Sequence, residues 1–193
     1  AAVAIPASAA SITTGTRLYL NANYWDTSSA RFAAYFFNSS SNVWVDMKDT
    51  DGDGIFEVTT PSGTWTNVIF CRMNKNTTAN NWDNKWNQTG NLTYDGTKNL
   101  FTVSQWDNQT SGWSKMTYYL KGSFNEWSET NPLVWSGSVL TVSLNLQKGT
   151  YKFKIQNDKA TASTNDDTWW GNATSINDTT SNLSMSTTAG DCT

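Results

Sequence analysis

Residues 68–73 read Val68-Ile69-Phe70-Cys71-Arg72-Met73, a short run of β-branched, aromatic and apolar side chains between two asparagines. Side chains of this kind favour extended strands, because they fit a pleated, half-buried surface. Similar runs, separated by turn-forming residues, recur at 17–20, 32–37, 43–47, 55–59, 100–103, 117–120, 139–146 and 150–156. No segment shows an apolar stripe with the 3.6-residue period of a helix. The sequence therefore predicts an all-β fold.

The spacing of these strands divides the 193 residues into two modules. Strands every 8 to 12 residues or so are typical of antiparallel, immunoglobulin-like β-sandwiches of roughly 100 residues. An internal echo supports the division: Leu18-Tyr19-Leu20-Asn21 resembles Tyr118-Tyr119-Leu120-Lys121, and residues 67–74 resemble 150–157. We expect two divergent copies of one fold in tandem, at 14–111 and 112–193, with the boundary in a polar linker.

The two ends of the chain carry separate signals. Residues 1–13 are rich in alanine and contain Ala7-Ser8-Ala9, which has the pattern of a signal-peptide cleavage site. We expect 1–13 to be a signal-peptide remnant or a linker outside the fold, and the protein to be secreted. Asp191-Cys192-Thr193 resembles the beginning of another strand, so we expect the second module to be truncated and the chain to lie within a longer protein.

Composition excludes several classes of function. The net charge is −3 and the pI is about 4.8, whereas proteins that bind nucleic acids carry basic faces. The chain has no histidine, which excludes His-based catalytic triads and His-containing zinc sites. No apolar run is long enough to span a membrane. The two cysteines, Cys71 and Cys192, form no CxxC motif and do not support redox or metal chemistry.

An acidic stretch, Asp49-Thr50-Asp51-Gly52-Asp53-Gly54, has the first half of an EF-hand calcium loop. The last position of such a loop is Thr60, where a bidentate glutamate is required. No cofactor is predicted, and calcium at Asp49, Asp51 and Asp53 stays a minor alternative. The other interpretation is a hairpin whose Asp-Gly turn joins 43–47 to 55–59.

Glycoside hydrolysis requires two carboxylates that face each other across a cleft. The chain has only three glutamates: Glu57 lies in a predicted strand, and Glu126 and Glu129 flank Trp127 too closely to oppose one another. We therefore predict that the protein is not an enzyme. A small jelly-roll glycanase is the enzymatic alternative.

The chain contains 11 Trp, 7 Tyr and 8 Phe, more aromatic residues than a core of this size requires. An indole or phenol ring stacks on the CH face of a pyranose, while neighbouring amides and ammonium groups bind its hydroxyl groups. Seven tryptophans lie in or beside polar segments suited to this: Trp25, Trp44, Trp82, Trp86, Trp127, Trp169 and Trp170. The surplus of aromatic residues beside polar segments therefore predicts carbohydrate binding, although protein interfaces also favour exposed Trp and Tyr. A surface protein-interaction module is thus the alternative.

Residues 118–127, followed by Pro132-Leu133 and by Gly149-Thr150-Tyr151-Lys152-Phe153-Lys154-Ile155, carry a family signature. They resemble the GxFNxW…P(M/L)…GxYxYKF pattern of glycogen- and starch-binding β-sandwich modules. In that family the Trp of FNxW, the Lys of the YKF strand and a Trp of the next loop contact the glucan. The resemblance implies that Trp127, Lys154 and either Trp169 or Trp170 bind carbohydrate.

The first half resembles a second type of starch-binding module, with a YAY…W…M strand pair and a terminal WNQT. The matching residues are Ala33-Ala34-Tyr35, Trp44, Met47 and Trp86-Asn87-Gln88-Thr89. The resemblance implies carbohydrate-binding roles for Tyr35, Trp44, Lys85 and Gln88. Ala33 stands where that family has its first aromatic ring, so one half of that stacking pair is either missing or supplied by another residue such as Trp25.

Taken together, these patterns predict a secreted or cell-surface protein that binds starch-type α-glucan and maltooligosaccharides without catalysis. We expect a monomer within a larger multi-domain protein or complex, with no nucleic-acid partner and no membrane span. The chemistry of the aromatic residues predicts sugar, and the α-linkage follows from the resemblance alone.

Overall fold

The computed structural model describes residues 9–160, 167–172 and 181–187, together with the backbone of 191 and 192. The chain divides into two compact units, Ala1–Lys115 and Met116–Thr193. The described residues contain one turn of 3-10 helix, Asn23–Trp25, and otherwise only strands and loops, so the predicted all-β fold is confirmed. Among these residues no helix is long and apolar enough to span a membrane.

The first unit is a sandwich of two four-stranded sheets. Its strands are β1 Ile12–Thr13, β2 Arg17–Asn21, β3 Ala30–Phe37, β4 Asn42–Met47, β5 Ile55–Thr59, β6 Thr64–Trp65, β7 Asn67–Asn74, β8 Lys85–Gln88, β9 Leu100–Thr102 and β10 Trp113–Ser114. One sheet has the order β10-β9-β2-β5, the other has the order β4-β3-β7-β8, and β1 pairs with β6. The pairing is antiparallel except between β2 and β9, which run parallel.

Side-chain alternation along β3 divides the second of these sheets into two faces. Phe32, Ala34 and Phe36 are buried in the core between the two sheets, where they pack with residues of β2, β7 and β9. The intervening Ala33 and Tyr35 lie on the outer face, beside Ile69, Cys71, Met73 and Trp44. The outer face thus carries aromatic side chains that the core does not use.

The predicted hairpin between β4 and β5 is wrong. The two strands belong to different sheets and meet only at one bridge, in which Lys48 and Glu57 exchange backbone hydrogen bonds of 3.1 and 2.7 Å. Residues 49–54 are long enough to connect one sheet to the other, so the Asp-Gly turns belong to a loop that crosses between the two sheets.

The N-terminal segment is also corrected. Ala10 forms a bridge with Tyr94, and Ile12 of β1 pairs with Trp65 and is fully buried in the core. Residues 10–13 therefore belong to the fold, because β1 adds apolar surface that closes one end of the sandwich. The proposed cleavage motif falls mostly on residues 1–8, outside the described residues.

The second unit is built on a six-stranded sheet. Its strands are β11 Thr117–Gly122, β12 Pro132–Ser136, β13 Val139–Thr141, β14 Leu144–Asn145, β15 Gly149–Asp158, β16 Thr168–Trp170, β17 Leu183–Thr187 and β18 Asp191–Cys192. The sheet order is β13-β12-β11-β15, with β16 and β17 both pairing with β15, and β14 pairs with β18. The predicted terminal strand at Asp191 therefore has a partner within the unit.

The segments that resemble each other in sequence do not pair in the same way in the two units. In the first unit, β2 and β7 lie in different sheets, whereas their counterparts β11 and β15 are direct neighbours in the second. The two units share alternating apolar strands rather than one arrangement of them. Trp113 and Ser114, predicted to open the second module, pair with β9 of the first unit.

Candidate functional site

Three aromatic rings meet on the outer face of the first unit. Tyr35 and Trp44 are paired across β3 and β4, and their ring centroids lie 4.8 Å apart. Trp82, in the loop before β8, lies 4.8 Å from Tyr35 and 4.7 Å from Trp44. Its side chain is 44% exposed. We call Tyr35, Trp44 and Trp82 the first-unit face. It joins two residues implied by the family resemblance to Trp82, one of the seven tryptophans that the sequence marks as candidates.

The residue that supplies the further ring beside Tyr35 and Trp44 is Trp82, not Trp25. Trp25 is fully buried in the core, and its Nε1 donates hydrogen bonds to the carbonyl oxygens of Gln105 and Trp106 at 3.1 and 2.9 Å. Ala33 is covered on the outer face and contributes no ring. The Asn-rich segment around Trp82 is the sequence signal for this residue, but nothing local shows that its loop folds back over Tyr35.

The loop that carries Trp82 is anchored by Arg31 at the start of β3. The guanidinium donates to the carbonyl oxygens of Asn74, Thr77 and Ala79 at 3.2, 2.6 and 2.7 Å, and to Oδ1 of Asn80. Because Arg31 is on the same strand as Tyr35, it fixes the loop relative to the sheet that carries the other two rings.

Lys85 and Gln88 lie at the far side of the same sheet. They pair with Met73 and Cys71 of β7, so they share the outer face, but they lie two strands across the sheet from Tyr35 and two to four residues along it. Gln88 Nε2 donates to the Thr89 carbonyl at 3.2 Å.

Burial raises the pKa of the free thiol of Cys71 to about 12, which makes it unreactive, although the Lys85 ammonium opposes this shift.

The acidic loop brings the carboxylates of Asp49, Asp51 and Asp53 together, with one oxygen of each within 4.8 Å of the others. The loop satisfies much of this charge itself: Asp49 accepts from the backbone N–H of Asp53 and of Gly54, both at 3.0 Å. Partial removal from water and the neighbouring carboxylates of Asp53 and Asp49 raise the pKa of Asp51 to about 7. The loop is thus a compact acidic turn.

In the second unit, Trp127 sits on a tight turn that follows β11. Asn125 holds the turn: its Oδ1 accepts from the Gly122 N–H at 2.9 Å, and its Nδ2 donates to the Leu120 carbonyl at 2.9 Å. Gly122 is required because a Cβ there would lie 2.6 Å from the carbonyl oxygen of Lys152. Glu126 and Trp127 have φ of 55° and 62°, and the Trp127 side chain is 39% exposed.

Two lysines and a tryptophan share one face of the second sheet. Lys121 pairs with Lys154, and Trp169 pairs with Gln156, two residues along β15 from Lys154. Directly paired residues point to the same face of an antiparallel sheet. Trp169 therefore lies on the face of Lys154, whereas Trp170 pairs with Ile155 and lies on the opposite face.

Lys121 links this face to the turn of Trp127. Its Nζ lies 5.6 Å from the centroid of the Trp169 ring and 3.0 Å from Oε1 of Glu129, two residues beyond Trp127. We call Trp127, Lys121, Lys154 and Trp169 the second-unit face. Lys121 was not among the residues predicted from the sequence; its signal is the position directly before the required Gly122.

The glutamates do not form a pair across a cleft within either unit. Glu57 belongs to β5 of the first unit and accepts a hydrogen bond from Thr50 Oγ1. Glu129 of the second unit is held by Lys121, and Glu126 lies in the same turn.

Part of the chain matches the model of a known protein family. Residues 100–182 match the family model described as the glycogen recognition site of AMP-activated protein kinase. The match begins at β9 of the first unit and ends directly before β17 of the second unit. The first half of the chain has no family match. Neither the curated proteins nor the solved structures contain a protein that matches this chain. Residues 100–182 are thus similar to a carbohydrate-binding module that recognises glycogen.

Proposed function

We propose that the protein binds starch-type α-glucan without catalysis, with one binding face on each unit, as a secreted or cell-surface component of a larger assembly. The observation that carries the proposal is the second-unit face, which lies within the residues that match a glycogen-recognition module. Its Trp127 is exposed, and its Lys154 and Trp169 share one side of the sheet, where Lys121 and Lys154 are largely buried.

The chemistry of this face suits a glucan chain. An exposed indole covers the apolar CH face of a glucose ring, and ammonium groups donate to its hydroxyl groups. Lys121 is already oriented by Glu129, so binding costs less side-chain entropy than it would for a free lysine. We assign Trp169 rather than Trp170 to the glucan, because Trp170 packs 6.1 Å from the ring of Tyr118 on the other side of the sheet.

The first-unit face supports the same function by its geometry. Tyr35, Trp44 and Trp82 form a cluster of three rings in which Trp82 stays accessible to a ligand. Clusters of exposed aromatic rings mark binding surfaces. Two faces on one chain would increase the affinity for a polymer that can engage both, without any new contact.

Affinity electrophoresis tests the proposal. The full chain is run through native gels that contain amylopectin, mixed-linkage β-glucan, xylan or no polysaccharide. We expect retardation in the amylopectin gel only. Equal mobility in all four gels would contradict carbohydrate binding and favour a protein partner, and retardation by xylan or β-glucan alone would contradict the α-linkage.

A further inference from the structure

A second aromatic cluster in the first unit is not part of the first-unit face. The guanidinium carbon of Arg72 lies 4.7 Å from the centroid of the Trp86 ring and 5.8 Å from that of Trp106. The two tryptophans are nevertheless 44% and 55% exposed. Arg72 covers one face of each indole, so the exposed surface comes mostly from the opposite faces and the ring edges.

The backbone builds this cluster through a β-bulge. Met73 pairs with Lys85 and Arg72 with Asn87, which leaves Trp86 as the extra residue of β8. A bulge redirects the side chain of its extra residue, and bulges are frequent beside functional sites. The bulge thus turns Trp86 out of the regular alternation of the strand.

Trp106 is held in place from the other side. Its carbonyl oxygen accepts hydrogen bonds from Trp25 Nε1 at 2.9 Å and from Asn87 Nδ2 at 3.0 Å. Trp25 and Asn87 are both fully buried, so this contact ties the segment of Trp106 to the core. Both rings are therefore presented by a rigid framework, which lowers the entropic cost of binding.

Arg72 supplies a polar group between the two rings. Its side chain is only 9% exposed; Nε donates to the Asp26 carbonyl at 3.1 Å and Nη2 to Ser29 Oγ at 3.4 Å. Nη1 has no acceptor among the residues that the structure describes. The Asp26 carboxylate, 3.9 Å from Nη2, offsets the charge of the guanidinium. The cluster therefore carries little excess charge beside its two exposed indoles, which suits a neutral ligand.

We propose that Trp86 and Trp106, with Arg72 packed against both rings, form a further pyranose-binding site, in which a sugar ring stacks on the outward face of an indole, opposite Arg72. The choice of an α-glucan as the occupant rests on the proposed function. The site is separate from the first-unit face, because Arg72 pairs with Phe32 on the core side of the sheet, whereas Tyr35 lies on the outer side. One sugar ring cannot contact both.

Indole resonances test the site in the unmodified full chain. The protein is labelled with 15N, its Trp Nε1 signals are assigned by single Trp→Phe variants, and maltoheptaose is added. We expect the signals of Trp86 and Trp106 to shift on titration, while that of Trp65, which is buried in the core, stays in place. Cellohexaose is the control ligand and should leave all of these signals unchanged.

The outcomes separate this proposal from the proposed function. Shifts at Trp82 or Trp127 without any at Trp86 and Trp106 would overturn the further site and leave the proposed function intact. No shift at any tryptophan would overturn both. In a second experiment, the Trp86→Ala/Trp106→Ala variant should bind at this site at least about tenfold more weakly, while the Trp82 and Trp127 signals still titrate as before. Unchanged titration of all sites, measured by calorimetry, would overturn the further site.

Discussion

Trp169 and Trp170 are adjacent in sequence and lie on opposite faces of β16, so they provide a matched pair of substitutions. Trp169 shares its face with Lys121 and Lys154, whereas Trp170 packs near Tyr118. We expect Trp169→Ala to weaken the binding of maltoheptaose by about 1–3 kcal/mol, because a stacking surface is lost. Its melting temperature should change little.

Trp170→Ala is the control, and its effect should be the reverse. Removal of a packed indole leaves a cavity and costs up to about 3 kcal/mol of unfolding free energy. The affinity for maltoheptaose should stay the same. Calorimetric titration and thermal unfolding of both variants measure the difference; weaker binding by the Trp170 variant alone would show that the assignment of the two faces is inverted.

At the scale of single residues, sequence predicts which side chains are suited to sugar but not which are exposed. Tyr35 and Trp44 were predicted and lie together, whereas Trp25, offered as their partner, is buried. The exposure of a tryptophan depends on a distant loop: the loop that brings Trp82 to Tyr35 is held by hydrogen bonds that include those from Arg31. Such long-range contacts leave no local pattern.

Among the structural elements, the loop before β8 allows a test of whether Arg31 positions Trp82. Arg31→Ala removes the donors that hold the carbonyl oxygens of Asn74, Thr77 and Ala79. We expect the affinity of the first-unit face for maltoheptaose to fall about fivefold, which is about 1 kcal/mol, although no ring is changed. The Trp82 indole signal should move in the free protein, as expected for a positioning residue.

Asp46→Asn is the matched control for Arg31. Asp46 lies 3.6 Å from Arg31 Nη1, but it is largely exposed, and such ion pairs contribute little. Asparagine removes the charge and keeps the Oδ1 that accepts from Asn80 Nδ2 at 2.8 Å. The variant should bind as the parent protein does. If Arg31→Ala leaves both the affinity and the Trp82 signal unchanged, the anchoring role is wrong.

The acidic loop predicts a dependence of stability on pH. The pKa of Asp51 is about 7 in the folded protein against 3.8 in the unfolded chain, so the folded state holds this proton more tightly. Its contribution to stability is complete below about pH 4 and is lost as the pH rises toward 7. We expect Asp51→Asn to raise the melting temperature at about pH 8 and to leave it unchanged at about pH 4.

The gain should be of the order of 1 kcal/mol or less, because Asp51 is exposed and water screens its charge. Asp83→Asn, at an exposed aspartate outside the loop, is the control and should change neither value. Equal melting temperatures of the Asp51 variant and the parent protein at both pH values would show that the three carboxylates do not repel one another.

Strands were predictable where their propensity is strong. The runs that became β2, β3, β4, β5, β7 and β15 are rich in β-branched and aromatic residues, and the structure confirms them. The strands β8, β12, β16 and β17 are short or contain Asn, Pro and Ser, so pairing with a neighbour rather than local preference determines them. Pairing partners were not predictable, which is why the hairpin and the repeat were misassigned.

At the scale of the whole molecule, two units with different sheet orders carry aromatic faces of similar chemistry. The first places three rings on a sheet face, and the second combines an exposed turn with two lysines and a tryptophan. Composition predicted this outcome because 11 tryptophans exceed what two small cores bury. It could not predict where each face lies, since that depends on strand register.

A calorimetric titration of the full chain with maltoheptaose tests whether the second-unit face binds α-glucan. The parent protein is compared with the Trp127→Ala/Trp169→Ala variant at equal concentration, with thermal unfolding as the check on the fold. We expect one binding site fewer in the variant and the same melting temperature as in the parent protein. An unchanged number of sites with unchanged affinity would contradict it.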